Sequence, residues 1–402
     1  MTKIKIILLV VLFAVSPLFA EQVERVLTEE SCINLALNIN HDILIYAQNI
    51  LFAEERVKEA QTLYLPTMDL NLNASKFSND SPTIINSTSL PASFYLPAGN
   101  RDSLYSARVS LWQNIYNGGK TSAINRLAKI YLSQVKNNSK IKRNEVITKV
   151  KIDFYKNIAL KEEISVYEKE IERLSKLNNR KYTGQIENLK DRLDIVRHRY
   201  EIQMLDFVNL LGLNLDTTVD LIGSMNIVKV DLNLQQCVLW SYQFRPEMKG
   251  TQYQESIDGI AVNLLTMEKY PTVMLGASYD WMGNEIDGTE KDWYLTLNIN
   301  YPIFDGGAVF TKVKQKQIKA RQATIERSKA EEKIKLEVRK AFNEYSFWYG
   351  KVSSIKTMTN NEHDVEKNVS QIEVKYNYLK SLFELELAVG KQISDSNLKT
   401  LE

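Results

Sequence analysis

The stretch Asp292-Trp-Tyr-Leu-Thr-Leu-Asn-Ile-Asn-Tyr-Pro-Ile-Phe-Asp-Gly-Gly307 decides how the chain is read. Trp293, Leu295, Leu297, Ile299 and Tyr301 alternate with Tyr294, Thr296, Asn298 and Asn300. On a pleated strand that order puts large apolar groups on one face and small polar groups on the other. Aromatic residues bracket the run, and an Asp-Gly-Gly turn leads into a long polar helix. A transmembrane β-barrel strand is written this way, apolar towards lipid and polar towards the lumen. A sandwich strand with one wet face has the same pattern, so the surrounding chain must choose between them.

Upstream, Met1 to Ala20 holds Lys3, Lys5, an apolar run and a terminal small residue, the form of a secretory signal peptide over residues 1–20. Its apolar run is shorter than the roughly 20 residues of a spanning helix, and no later stretch resembles one. Insertion into a membrane would therefore have to use strands. Losing Lys3 and Lys5 with that segment brings the formal charge of +2 to zero, so there is no basic excess to attract nucleic acid. Cys32 and Cys237 are too few for a disulfide scaffold. They read as small buried packers, with a disulfide between them as the lesser alternative.

Thr28 to Leu63 is predicted as a helix with Thr28 as its N-cap, ended by Pro66. Met68 to Ala74 alternates as a strand, Phe77 to Ser103 reads as an exposed loop, and Ala107 to Tyr116 is a second strand ending in Asn117-Gly118-Gly119. Lys120 to Lys181 contains no proline or glycine, and its apolar residues recur at three and four. At about 1.5 Å per residue such a helix reaches roughly 90 Å, which suits a coiled-coil-like assembly better than one globular core. Tyr182-Thr183-Gly184 breaks the run, and a return helix continues to Leu211-Gly212.

The order then begins again. A helix around Cys237 ends before Pro271, Thr272 to Trp281 alternates, and the opening strand reaches Asp305-Gly306-Gly307 and a second long helix. Cys32 to Cys237 and Pro66 to Pro271 span the same number of positions; Gly118-Gly119 to Gly306-Gly307 spans fewer, because the first hairpin has the longer loop. Matching landmarks in matching order predict a tandem duplication, residues 21–226 and 227–402, the second with a shortened C-terminus. Each half supplies two strands. Four strands cannot close a barrel when the smallest spanning barrels need about eight, and open edges are not tolerated in lipid, so several copies would have to share one.

Taken together, Leu35-Ala-Leu37, Asn40-His-Asp42, Leu65-Pro66, Asn117-Gly-Gly119, Leu210-Leu-Gly-Leu213, Arg245-Pro-Glu247, Tyr270-Pro271 and Tyr301-Pro-Ile-Phe-Asp-Gly-Gly307 resemble the TolC-like outer-membrane efflux family. The resemblance covers essentially the whole mature chain. It implies a mainly α fold with a small β part, four transmembrane strands and long helical hairpins per protomer. Three protomers would make a twelve-stranded β-barrel in outer-membrane lipid and a twelve-helix α-barrel in the periplasm. The function implied is the exit duct of a tripartite efflux or type I secretion system, with a periplasmic adaptor and an inner-membrane pump as partners. A periplasmic coiled-coil adaptor without its own pore is the alternative, and the paired alternating strands argue against it.

By the same resemblance, the adaptor-docking tips fall at Tyr182, Thr183 and Gly184 and, one residue short, at Tyr376-Asn-Tyr378-Leu379, with a plain helix-hairpin turn as the alternative for Gly184. A periplasmic gate would follow at Lys380, Glu384 and Glu386, where carboxylates from three copies hold the closed state. The plain alternative for Lys380 and Glu384 is an exposed pair at four-residue spacing, worth a few tenths of a kcal/mol.

No catalytic constellation is present. His41, His198 and His363 sit on separate helices without metal-ligand spacing, and neither Gly-Gly turn has the lysine of a phosphate loop. The reading is non-enzymatic, with no cofactor. The strands' lumen residues show no single-sign charge that would choose a cargo.

Overall fold

Thr28 opens the first helix through a reciprocal cap. Its hydroxyl accepts the Ser31 N–H, and its own N–H donates to Ser31 Oγ at 2.7 Å. A computed structural model describes residues 25–76, 84–85, 94–95, 103–177, 180–227, 230–283, 285–286, 290–355 and 364–393. The segment read as a signal peptide lies outside them, as does most of the loop from Phe77 to Ser103.

In chain order, strand β1 (Arg25–Leu27) precedes helices α1 (Glu29–Ile39) and α2 (His41–Thr62). The single helix expected from Thr28 to Leu63 is thus two. Asn40 is extended, with ψ of 129°, and an extended residue cannot carry helical hydrogen bonding onward. Strand β2 (Thr67–Lys76), the short β3 (Ile84–Ile85) and β4 (Phe94–Tyr95), and strand β5 (Ser103–Asn117) follow. Helix α3 (Lys120–Lys176) stops five residues short of the predicted end, and α4 (Thr183–Leu211) returns. Strand β6 (Val219–Leu221) pairs in parallel with β1, a contact the sequence did not announce.

Helices α5 (Leu234–Phe244) and α6 (Pro246–Thr266) are again two where one was expected, separated by extended Arg245. Pro246 is the reason: it restrains the residue before it and suits the first position of the next helix. Strands β7 (Thr272–Gly283) and β8 (Glu290–Asn300) and helices α7 (Ala308–Ile355) and α8 (Val365–Val389) complete the chain. It is mostly helical with a small sheet part.

The residues fall into two compact units. One comprises Met1–Asn40, Val146–Val228 and Trp348–Phe383, and its core is helical. Leu160, Tyr167 and Leu174 of α3 pack with Leu189, Leu193 and Val196 of α4, and Val365 and Val369 of α8 close over them. Further along, Phe154 and Phe207 meet with ring centroids 6.5 Å apart, and Phe207 is fully buried. Burying one such side chain contributes about 1.5–3 kcal/mol. The Tyr155 hydroxyl donates to Glu29 Oε2 at 2.6 Å while its ring stacks on Phe383. Burial, then the Glu29 carboxylate, push the phenol well above the usual tyrosine range. Cys32 and Cys237 are both buried and both free, and burial pushes the Cys32 thiol up to about 12. They are packers.

The other unit comprises His41–Glu145, Lys229–Phe347 and Glu384–Glu402. It holds one antiparallel sheet in the order β2-β5-β7-β8. Buried Arg245 anchors its helical part: the guanidinium donates to both Glu247 oxygens and to Glu337 at 2.6 Å.

Candidate functional site

The strands are aimed by their turns. After β5, Gly118 and Gly119 both take positive φ (69° and 85°), and after β8 so do Gly306 and Gly307 (68° and 83°). Residues with a Cβ resist that backbone. At Gly118 an added Cβ would also meet Met267 O and Tyr270 Cβ, each at 2.9 Å. The residue before each pair caps the coming helix. Asn117 Oδ1 accepts the Thr121 N–H at 3.3 Å, and the Asp305 carboxylate accepts the Gly307 and Val309 N–H groups, both at 2.8 Å. These bonds, Val309 first, hold the Asp305 carboxyl below its usual range. Pro66 and Pro271 stand just before β2 and β7, where a missing N–H costs no ladder bond.

Register then sorts the four strands into two faces. Met68, Leu111, Ala277 and Leu295 form one cross-strand row, and Leu70, Val109, Tyr279 and Trp293 the next. Met68, Leu70, Leu295 and Leu297 are 71%, 63%, 66% and 60% exposed. The opposite face carries Asp69, Ser110, Ser278 and Tyr294 in one row and Asn71, Arg108, Asp280 and Asp292 in another. On this polar face the two central strands are sheltered, Ser110, Ser278 and Asp280 being buried, while Asp69, Asn71 and Asp292 on the outer strands are exposed. Arg108 Nε and Nη2 donate to the two Asp280 oxygens at 2.7 and 2.8 Å, locking β5 to β7, and the guanidinium lies over the Tyr294 ring. Trp112 lies across Gly276, where any Cβ would collide with its ring.

The better-covered face of the central strands is thus the polar one and the exposed face carries large apolar residues, the inverse of a sheet with its apolar face on a core. The charge balance differs from the expectation too. Asp69, Asp280, Glu290 and Asp292 share the polar face with Arg108 alone, so that face is acidic. Pooled by residue type the strands look neutral; the imbalance emerges once register assigns Lys76 and Lys291 to the outer face.

No protein-family model matches the chain, and no curated protein matches it in sequence. Solved structures do. CusC, described for transmembrane channel formation, is 12% identical with a TM-score of 0.72, covering 90% of this chain and 92% of that one. The Neisseria gonorrhoeae MtrE outer-membrane channel is 14% identical at 0.70, covering 90% and 89%. The Campylobacter jejuni CmeC outer-membrane channel is 15% identical at 0.66, covering 91% and 87%.

The chain has the TolC-type fold.

Within that fold the first helical tip falls close to its expected place. The break lies between Lys176 and Thr183, a 3-10 turn spans Arg180–Tyr182, and Thr183 and Gly184 open α4. Nothing lies within 4 Å of a Cβ built on Gly184, so this end of the helix is open.

The second tip does not. Tyr378 and Leu379 sit inside α8, 0% and 4% exposed, and the connection between α7 and α8 lies between Ile355 and Val365. The glycine that ends α8 explains the misplacement. Gly390 (φ 77°) and Gly212 (φ 78°) terminate α8 and α4 alike, each bonded back to the last turn, and each presses on the extended residue between two helices, Arg245 and Asn40 respectively. Counting back from Gly390 by a helix like α4 puts the turn well before Tyr376. The return helices are similar, 25 residues in α8 against 29 in α4, and the described part of α7 spans 48 residues against 57 in α3.

The gate residues move with it. Lys380 and Glu384 are half-buried within α8, not beside a turn. Glu386 is buried, and its carboxylate accepts the Ile393 N–H at 2.7 Å as the chain doubles back past Gly390. There it caps the end of α8. Among the described residues no group of histidine, cysteine or carboxylate side chains is placed to hold a metal.

Proposed function

We propose that the protein is a non-enzymatic outer-membrane exit duct, three copies of which share one pore. The observation that carries this reading is the open four-stranded sheet, one face lined by exposed large apolar side chains and the other polar and sheltered on its central strands. β2 and β8, of 10 and 11 residues, are long outer strands of that sheet, each paired on one side only. Strands of about 9–11 residues suffice to cross a bilayer when tilted. Unpaired edges are unstable in lipid, and joining β8 of one copy to β2 of the next removes both. Three copies give a twelve-stranded barrel, with the helices extending into the periplasm as a twelve-helix α-barrel.

In this reading the two halves are duplicates, supported by the matched breaks at Asn40 and Arg245 and the matched ends at Gly212 and Gly390. The turn opening α4 at Tyr182, Thr183 and Gly184 is the docking point for a periplasmic adaptor linked to an inner-membrane pump, in tripartite efflux or type I secretion. The test is detergent dependence. The mature protein should extract from outer membranes only with detergent and run as a heat-modifiable trimer; a soluble monomer that needs no detergent would refute the proposal.

A further inference from the structure

The outward face of the sheet has a depression at the end remote from the strand-to-helix turns. Leu72, Ala74, Tyr105, Ala107, Trp281 and Ile286 line it, with Asn73 and Ser106 as its polar members, around about 440 Å³. Small side chains flanked by large ones create the dent: Leu72 pairs with Ala107 and Ala107 with Trp281, while Ala74 pairs with Tyr105 and Tyr105 with Gly283. The volume is within the range of small-molecule pockets, roughly 300–1,000 Å³. Two cations flank it. Lys291 is the cross-strand partner of Trp281 and Lys76 lies one outward position beyond Ala74; both are exposed, and neither makes an ion pair among the described residues. Glu290 and Asp292 alternate onto the opposite face, and Glu285 lies in the adjoining turn.

An apolar trough with a lysine at either side and aromatics between them is complementary to an anionic amphiphile. We propose that this depression is a lipid-binding site, in which an acyl chain lies over Ala74 and Ala107 and a lipid phosphate meets Lys291, with Lys76 adding attraction. The inference rests on the reading of this sheet as membrane-embedded. It goes further by assigning a specific lipid contact to a face otherwise only required to be greasy.

The experiment uses the full mature protein reconstituted in phosphatidylcholine vesicles doped with phosphatidylglycerol. After extraction in mild detergent and size exclusion, retained lipids are counted by mass spectrometry. The wild type should retain phosphatidylglycerol preferentially, and Lys291→Gln and Lys76→Gln should each reduce that preference by roughly fivefold, the attraction expected of one lysine near an anionic surface. Ala107→Trp, which fills the trough, should lower retention of both lipids, and added inorganic phosphate should not displace them. Equal retention in the wild type and both lysine variants, all floating with vesicles, would overturn the site while leaving the duct intact. Displacement by inorganic phosphate alone would also overturn it. A wild type that fails to float would instead overturn the membrane reading beneath it.

Discussion

The four-stranded sheet and the helical cluster around Tyr167 obey opposite rules. In the cluster, Leu160, Leu174, Leu193 and Val196 are buried and charged groups lie outside, as in the exposed pair of Arg197 with Glu168. In the sheet, Leu70, Leu72 and Leu295 are exposed while Asp280 and Ser278 are buried. The same chain minimises contact between apolar groups and water in both places only if the sheet's outer face is not in water. The contrast supports a non-aqueous medium for the sheet's outer face, and it can be broken at either end.

The largest effect is expected in the helical unit. Phe207→Ala removes a fully buried ring from between α3 and α4 and should cost about 3–5 kcal/mol, read as a lower midpoint in denaturant unfolding of the reconstituted protein. Leu297→Arg comes next. On a lipid face near mid-bilayer it should cost about 2–4 kcal/mol and reduce the yield of folded, heat-modifiable protein in vesicles. On a water-facing sheet the same change would cost less than about 0.5 kcal/mol, so an unaffected yield would reverse the assignment of the faces.

Function sharpens the comparison from the other face. Asp69 and Asp292 lie on the acidic polar face, and replacing both by asparagine should lower the preference for cations over anions, measured as a smaller reversal potential in a salt gradient. The smallest effect belongs to the turn after β8. Asp305 titrates below its usual range in the folded state, so its contribution to stability is present above the unfolded carboxyl value, near about 3.9. It is lost as pH falls through the folded value. Asp305→Asn should thus lose stability relative to the wild type at neutral pH, and the gap in thermal midpoint should shrink in acid.

Much of the fold was legible because its signals are local. Trp293 to Ile299 alternate in the sequence as they do in the sheet, and Asn117-Gly-Gly and Asp305-Gly-Gly stand where strands become helices. The breaks at Asn40 and Arg245 have local signals as well: Pro246 marks a helix start, and Asn40 precedes an acidic first turn at Asp42. For α8 the firmer local signal is Gly390, whose left-handed geometry marks a helix end more reliably than the partial tyrosine motif at 376–379 marks a turn. Two features had no local signal. The three-residue parallel pair β1–β6 is too short to show a period, and the acidic balance of the polar face depends on cross-strand register.

Current through a planar bilayer tests the central claim most directly. Purified detergent-solubilised protein should insert as discrete, uniform steps of ionic conductance, each step requiring a trimer. A preparation that is folded by circular dichroism, yet stays monomeric and leaves the bilayer silent at every concentration, would contradict it.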